Sequence, residues 1–372
     1  MLEYHAKKLI MQDKLDVSII IPVFNGTKYL EDCIDVTINQ DFEGKWEIIF
    51  VDDASTDDSI NFIKKVNLPN IKTYSLNSNS GQSAARNFGI KKAKGDYLFF
   101  MDVDDVIEKN TLSVLFKKVK ELNYDFVCSD FKRVENSSNQ RDNLFNYPTD
   151  MIFDDKDLLA AMHRELNDPS LGHLGLFGCN GRLIKRSLII DNKIYFEEKL
   201  RWLEDKTFCW NIFGFLKNAY YIRQQLYCYK VYPNFKTAVT DSLINNFSFE
   251  NIKLINKHIR NSLANRNTPL EETETLCMQA LIFHSIQVLI SLSRSIVLKK
   301  IDQKEGKKIR KKLISQILND EKVLKSIKHY KRSKKESFWI PIFINLRLNF
   351  LLELACDHRA RQVVNKRRAG KE

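Results

Sequence analysis

At 372 residues, with 44% hydrophobic and 28% charged residues and only 12 Gly and 7 Pro, the chain has the make-up of a globular protein of two or three units. That composition, with no internal repeat, excludes a disordered or solenoid chain. The net charge of +12 is lopsided: Lys299–Glu372 holds 22 Lys and Arg against 8 Asp and Glu, a net of +14, so the rest of the chain sums to −2.

Val17–Val23 is a continuous Ile-rich run, typical of a strand buried on both faces. It ends at Asn25-Gly26, and Leu30, Cys33, Ile34 and Ile38 then fall at helical spacing. Trp46–Val51 reads as a second strand, stopped by Asp52-Asp53. Thr56 and Asp57 are placed to cap a helix with Ile60, Ile63 and Val66 inward. A third strand is expected at Ile71–Leu76, a helix from Gly81 to Ala93, and a fourth strand at Tyr97–Met101. Asn110 is placed to cap a helix with Leu112, Leu115, Phe116, Val119 and Leu122 inward, followed by a fifth strand at Asp125–Ser129. Such alternation predicts an α/β fold: a Rossmann-like, mostly parallel sheet flanked by helices. Ligands of these sheets bind beyond the carboxyl ends of the strands, where Asn25, Asp52-Asp53 and Asp102–Asp105 fall. From Met151 to Lys236 the pattern is less regular and richer in aromatic residues. Beyond Asp241 it is almost wholly helical, which places a boundary near residue 240.

The sharpest chemical signal is Tyr97-Leu-Phe-Phe-Met-Asp102-Val-Asp104-Asp105. A buried strand here delivers three carboxylates with nothing local to neutralise them, and like charges so close raise one another's pKa unless a cation is present. Hard oxygen donors of this kind suit Mg²⁺ or Mn²⁺, with phosphate oxygens and water filling the other positions. On these residues alone, a capped loop is an equal alternative.

Four segments together are more specific. Ser18-Ile-Ile-Ile-Pro22-Val-Phe-Asn25, Val51-Asp52-Asp53-Ala-Ser55-Thr56-Asp57, Asn79-Ser-Gly81-Gln-Ser-Ala-Ala85-Arg86-Asn87-Phe-Gly89 and Asp102-Val-Asp104-Asp105 resemble, in order and spacing, the family 2 glycosyltransferases of the GT-A fold. The resemblance spans about residues 15–130. It implies a GT-A catalytic domain over 1–240, with a donor half at about 15–130 and an acceptor half at about 131–240, ahead of a basic helical module at 241–372. It implies an inverting transfer of a sugar from a nucleotide diphosphate, UDP favoured, to a hydroxyl of a glycan or lipid-linked glycan.

Carried over by position, the resemblance puts Pro22, Val23 and Asn25 along the base and ribose side of the donor pocket and Asp53 on the uracil imide N–H. Arg86 would approach the base or the phosphates. Asp102 would hold the ribose, or the metal through water, with Val103 beside it, and Asp104 would bind Mn²⁺ or Mg²⁺ directly. The plainer alternatives are a strand-end turn for Asp52-Asp53 and a surface ion pair for Arg86. Leu200-Arg-Trp202-Leu-Glu204-Asp205-Lys-Thr-Phe208 resembles the segment holding the family's Glu-Asp pair. A sugar hydroxyl is a poor nucleophile, so one carboxylate must act as base; the pattern points to Asp205, with Glu204 orienting it or holding acceptor. The alternative is the acidic first turn of a helix. Gly178-Cys-Asn180-Gly-Arg182-Leu-Ile-Lys185-Arg186 resembles an Asn-Lys-Leu-x-Lys-Arg strip, with Arg182 where lysine is usual and Cys179 where an aromatic residue is common. Asn180, Arg182 and Trp202 are therefore the acceptor-side candidates. Tyr227-Cys-Tyr229-Lys230-Val-Tyr232-Pro233-Asn234 resembles Tyr-Arg-x-x-Pro-Asn and offers Lys230 to a donor phosphate, without arginine's fork.

The resemblance stops near 240. Leu281, Ile282, Ser285, Val288, Leu289 and Leu292 repeat at helical spacing, as do Leu313, Ile314, Ile317 and Leu318. Phe338-Trp-Ile-Pro-Ile-Phe-Ile and Leu346–Leu354 lie between the basic stretches Lys328–Lys335 and Arg359–Arg368, a pattern that fits an anionic membrane interface, with a homo-oligomer seam or a core helix as the alternative. Phe338–Ala355 is too interrupted by polar residues to span a bilayer, and Met1–Asp16 lacks the apolar core of a signal peptide. Seven scattered cysteines with no C-x-x-C pair suit a reducing compartment. The expected location is cytoplasmic, peripheral at the inner face of the membrane. His163 and His173 read as ordinary residues, and Gly172 and Gly175 as a loop that closes over substrate. Nucleic acid is not an expected partner, because the positive charge is confined to the tail while the site region is acidic. A nucleotidyltransferase would need a Gly-rich basic loop that Pro22–Gly26 is not; the alternative readings are a non-catalytic nucleotide-sugar-binding scaffold, although every acidic motif position is intact, and a basic nucleic-acid-binding protein.

Overall fold

The computed structural model describes residues 15–66, 68–135, 138–140, 149–167, 176–231, 247–332 and 336–368. These fall into two compact units. One holds residues 15–158, 176–198 and 204–231; the other holds 159–167, 199–203 and 247–368.

The first unit is built on one mixed sheet. Strands β1 (Val17–Val23), β2 (Trp46–Asp52), β3 (Ile71–Ser75) and β4 (Tyr97–Phe100) lie parallel in the order β3-β2-β1-β4. All seven residues of β1 are buried, as a strand covered on both faces requires. Helices α1 (Thr27–Ile38), α2 (Ser59–Lys65) and α3 (Gln82–Lys92) make the three crossovers. Leu30, Cys33 and Ile34 turn inward on α1 as the spacing predicts, whereas Ile60 on α2 is only half-buried. The expected caps are not made as drawn. Asp58 occupies the cap position of α2, and Asp57 Oδ1 instead accepts the Ser59 amide at 3.0 Å. Asn110 precedes α4 (Thr111–Leu122) with φ −99° and ψ 14°, outside the extended conformation from which a side chain caps.

Past β4 the parallel plan stops. Strand β5 (Val106–Ile107) is two residues long, and β6 (Phe126–Glu135) runs well beyond the expected fifth strand to pair with β7 (Ser138–Gln140). After β8 (Met151–Phe153), α5 (Asp155–Asn167) leads to β9 (Arg182–Lys185), which runs antiparallel between β4 and β6. Helices α6 (Arg186–Asp191) and α7 (Glu204–Phe213) follow. Strand β10 (Ala219–Val231) is parallel to β6 and antiparallel to β5 and β8. Register shifts between Ile222 and Tyr227 bend β10 just where Tyr227 enters the site. The core mixes strand residues such as Ile19, Phe50 and Phe99 with Leu112 and Leu115 of α4.

The second unit is helical: α8 (Phe249–Asn265), α9 (Leu270–Val297), α10 (Gln303–Asn319), α11 (Glu321–Ser326), α12 (Trp339–Asn345) and α13 (Asn349–Arg368). Helix α9 is long and apolar enough to cross a bilayer by length and composition, but 67% of its most apolar stretch is buried and it forms the hub of the helical core. The residues expected to face inward, Leu281 to Leu292 on α9 and Leu313 to Leu318 on α10, do so. Arg310 is buried among them. Its charge is answered by Asp357 and Glu353 of α13, and its Nη1 donates to Ser293 Oγ at 3.0 Å.

Candidate active site

Strand order reverses between β1 and β4, and the sheet opens there. The β1–β4 ladder ends at Ile20–Phe100, while β1 stays paired to β2 through Pro22–Val51 and Val23–Asp52. Pro22, which has no N–H to give, sits past the last β4 partner, so its missing donor costs no ladder bond. This crevice is where an open α/β sheet binds ligand.

Its rim is set by side chains that tie loops together. Asn25 takes a left-handed φ of 51°, which asparagine tolerates, and its Oδ1 accepts the Thr56 amide at 2.8 Å. Asp52 accepts the Ser55 amide at 3.3 Å, a local strand-end turn. Asp53 is buried, and its two oxygens accept the amides of Ser80 and Gly81 at 2.7 Å each, fixing the start of α3 from 27 residues away.

Asp102, Asp104 and Asp105 lie together, with one carboxylate oxygen of each within 4.8 Å of the others. Asp102 is the hub. Its Oδ1 accepts from Arg86 Nη2 and Gln82 Nε2, both at 2.7 Å, and its Oδ2 accepts from Asn180 Nδ2 at 2.9 Å. Asp105 is buried and accepts from the Tyr227 hydroxyl at 2.6 Å and the Lys230 amide at 3.1 Å. Burial first, then Asp102 and Asp104, push its pKa well up. Burial and Asp102 push Asp104 up to about 6, against the pull of its own amide, Lys28 and Lys230. Among the described residues, Asp104 is the member of the trio that accepts no hydrogen bond from another residue's side chain or amide. An all-oxygen set with one uncommitted carboxylate and raised pKa values fits a hard divalent cation.

Arg86 is 2% exposed, not a surface ion pair. Its guanidinium carbon lies 5.2 Å from the Phe196 ring centre, and its Nε and Nη1 are buried without a hydrogen-bond partner among the described residues. Phe196 stacks on Phe208 of α7 with centroids 3.8 Å apart, and Phe100 at the end of β4 meets both edge-on. Asn87 completes the joint by exchanging hydrogen bonds with the Phe196 backbone at 2.8 and 2.9 Å. This aromatic and amide joint brings the first turn of α7 close enough for Arg86 and Asp102 to act on Glu204. Burial and Asp205 raise the Glu204 pKa, Arg86 lowers it, and the balance is about 7. Asp205 is half-buried, and its Oδ1 accepts the Lys206 amide at 2.6 Å.

Several assignments change place. Asn180, expected on the acceptor side, is bonded into the Asp102 cluster. Arg182 is fully buried over the Phe131 ring and donates to the Asn180 carbonyl, so it has no surface with which to touch an acceptor. Trp202 is half-buried against the helical core of the second unit. The Lys230 ammonium pairs with Asp32 at 3.2 Å, while its amide serves Asp105. Val103 is half-buried; its methyl lies 3.2 Å from where a Cβ on Gly26 would stand. His163 lies 3.4 Å from Glu272 in the helical unit. Gly172, His173, Gly175 and Tyr232–Phe235 lie outside the described residues. Gln82 and Tyr227 are site residues that sequence reasoning missed. Gln82 stands inside a quoted segment and Tyr227 opens another, but neither type carries the signal an acid cluster does.

Comparison with known proteins bears on the same residues. A family model described as "Glycosyl transferase family 2" matches residues 18–213. Glycosyltransferase GlyG of Streptococcus pneumoniae is 26% identical over 218 residues, 58% of this chain and 70% of GlyG. The poly(ribitol-phosphate) beta-N-acetylglucosaminyltransferase TarS of Staphylococcus aureus is 29% identical over 194 residues, 51% of this chain but only 31% of TarS. The crystal structure of TarS 1-349 in complex with UDP-GlcNAc shares the fold, with a TM-score of 0.65 at 21% identity over 94% of this chain and 92% of that one.

Proposed function

This chain belongs to glycosyl transferase family 2, and from that premise we propose that it moves a sugar from a nucleoside diphosphate, UDP favoured, to a hydroxyl of a cell-envelope glycan or lipid-linked glycan. The observation that carries the reading is Arg86. One buried guanidinium pairs with Asp102 of the strand-end acid cluster and acts on Glu204 at the start of α7, so donor-site and candidate base carboxylates share one site. The names of TarS and of its UDP-GlcNAc complex support a UDP-sugar donor.

Pro22, Val23, Asn25 and Val103 would line the crevice on the nucleoside side, and Asp53 would face the imide N–H of the base. Asp104, with Asp102, would hold Mn²⁺ or Mg²⁺. Such a cation, when bound, stabilises negative charge on the departing diphosphate. The unpartnered Nε and Nη1 of Arg86 are further donors for an anionic group at that point. Asp205 takes the proton from the acceptor hydroxyl as the new bond forms, and a single displacement inverts the anomeric centre. Glu204 is a second candidate for base, favoured by a pKa of about 7, where a general base works best.

The test is hydrolysis and transfer with a panel of UDP-, GDP- and dTDP-sugars, with Mn²⁺ or Mg²⁺ and with EDTA. Turnover of a UDP-sugar that EDTA and Asp104→Ala both abolish is expected. Full turnover in EDTA would rule out the metal role, and failure of every donor to bind or turn over would rule out the transferase.

A further inference from the structure

We propose that the α12–α13 hairpin docks the protein on an anionic lipid surface. Leu352, Cys356, Ala360 and Val364 recur every fourth residue on α13 and are buried, so one stripe of that helix is spent on the helical core. The opposite side is apolar and open: Phe350 is 72% exposed, and Leu351 and Leu354 share its face. Helix α12 adds Trp339, 56% exposed with its ring stacked on Phe343 at 5.7 Å, and Phe338 beside it. A tight turn joins the helices. Arg347 adopts a left-handed φ of 54°, and the Leu348 amide returns to the Phe343 carbonyl at 2.9 Å, leaving Leu346 exposed. Single exposed apolar side chains need no explanation, but seven within seventeen residues do, Leu348 being the seventh.

Charge decides between occupants. Lys328, Lys331, Arg332, Arg347 and Arg361 are exposed along this stretch, with the Arg332 guanidinium 5.6 Å from the Phe338 ring centre. The two acids of α13, Glu353 and Asp357, are turned to the buried Arg310 and do not offset that rim. A second copy of this chain would bring the same positive border against it, because a two-fold contact pairs a patch with itself. Anionic headgroups complement the border, while Trp and Phe enter the interface between them.

The test uses the full chain, sedimented with phosphatidylglycerol or phosphatidylcholine vesicles at salt concentrations that give Debye lengths of about 30 Å and about 3 Å. The protein is expected to pellet with the anionic vesicles at low salt and to be released at high salt. Phe350→Ser with Leu354→Ser, and separately Trp339→Ser, should weaken that binding about tenfold or more, with circular dichroism and melting unchanged because the side chains are exposed. Equal binding to both lipids, or binding that the variants leave intact, overturns the proposal. So does a wild-type dimer, seen by sedimentation velocity, that the variants dissociate.

Discussion

Glu204 and Asp205 are adjacent in the chain but differently placed. Burial and the Asp205 charge raise the Glu204 pKa to about 7, yet Asp205 occupies the base position in the family resemblance. Replacing each carboxylate by its amide keeps shape and removes basicity. Asp205→Asn is expected to lower transfer by about 10²–10⁴-fold while leaving UDP binding, read by calorimetry, near wild type. Glu204→Gln should cost less and should move the acidic limb of the pH–rate profile, which in the wild type falls as pH drops through about 7 and Glu204 takes a proton. If Glu204→Gln is the more damaging change, the roles are reversed. Product with retained configuration by NMR would reject the single displacement altogether. The acids of this site are legible in the sequence because they are contiguous and follow buried runs. How they are paired is not: Arg86, which the resemblance placed in the site, reaches Asp102 from 16 residues away and Tyr227 reaches its amide from 125, and no local pattern marks a guanidinium for burial.

At the scale of elements, the first four strands are legible because parallel strands buried on both faces write continuous apolar runs. Strand β9 is not, since Arg182–Lys185 has a buried arginine in place of such a run and pairs antiparallel with strands far away in sequence. Its entry is held by Gly181. That residue takes φ +69°, gives its amide to the Phe100 carbonyl at 3.0 Å, and would set a Cβ 2.7 Å from the Tyr227 ring. Gly181→Ala therefore meets both backbone strain and a ring that Asp105 holds in place. A loss of about 1–3 kcal/mol is expected, read as a lower denaturant midpoint, with activity reduced because Tyr227 and the Asp102 amide move together. An unchanged midpoint would mean that the Tyr227 ring is free to yield. The caps at Thr56 and Asn110 misled for a related reason: a capping residue type is a local cue, and tertiary hydrogen bonds from Thr56 to Asn25 and from Thr111 to the Leu226 carbonyl set these turns instead.

The whole molecule should register the uncompensated acids as a pH-dependent stability. Asp104 rises from 3.8 to about 6 and Glu204 from 4.5 to about 7, and Asp105 is also raised. Between about pH 4 and pH 7 the folded chain thus binds protons that the unfolded chain has released, so these groups favour folding at low pH and lose that contribution as pH rises. For Asp104 the loss is about 1–3 kcal/mol, given about 1.4 kcal/mol per pKa unit and some solvent screening of a half-buried group. The basic surface works the other way, because a chain of net charge +12 repels itself less as pH rises toward its pI of about 9.2. A single melting curve against pH therefore mixes the two effects, and the cation separates them. In EDTA at about pH 8, Asp104→Asn should melt higher than wild type, because it removes a charge that folding leaves unpaired. Mn²⁺ should raise the wild-type melting temperature at about pH 8, do so far less at about pH 5 where the cluster carries protons, and not affect Asp104→Asn. Equal stabilisation of both proteins by Mn²⁺ at both pH values would place the cation elsewhere on the chain.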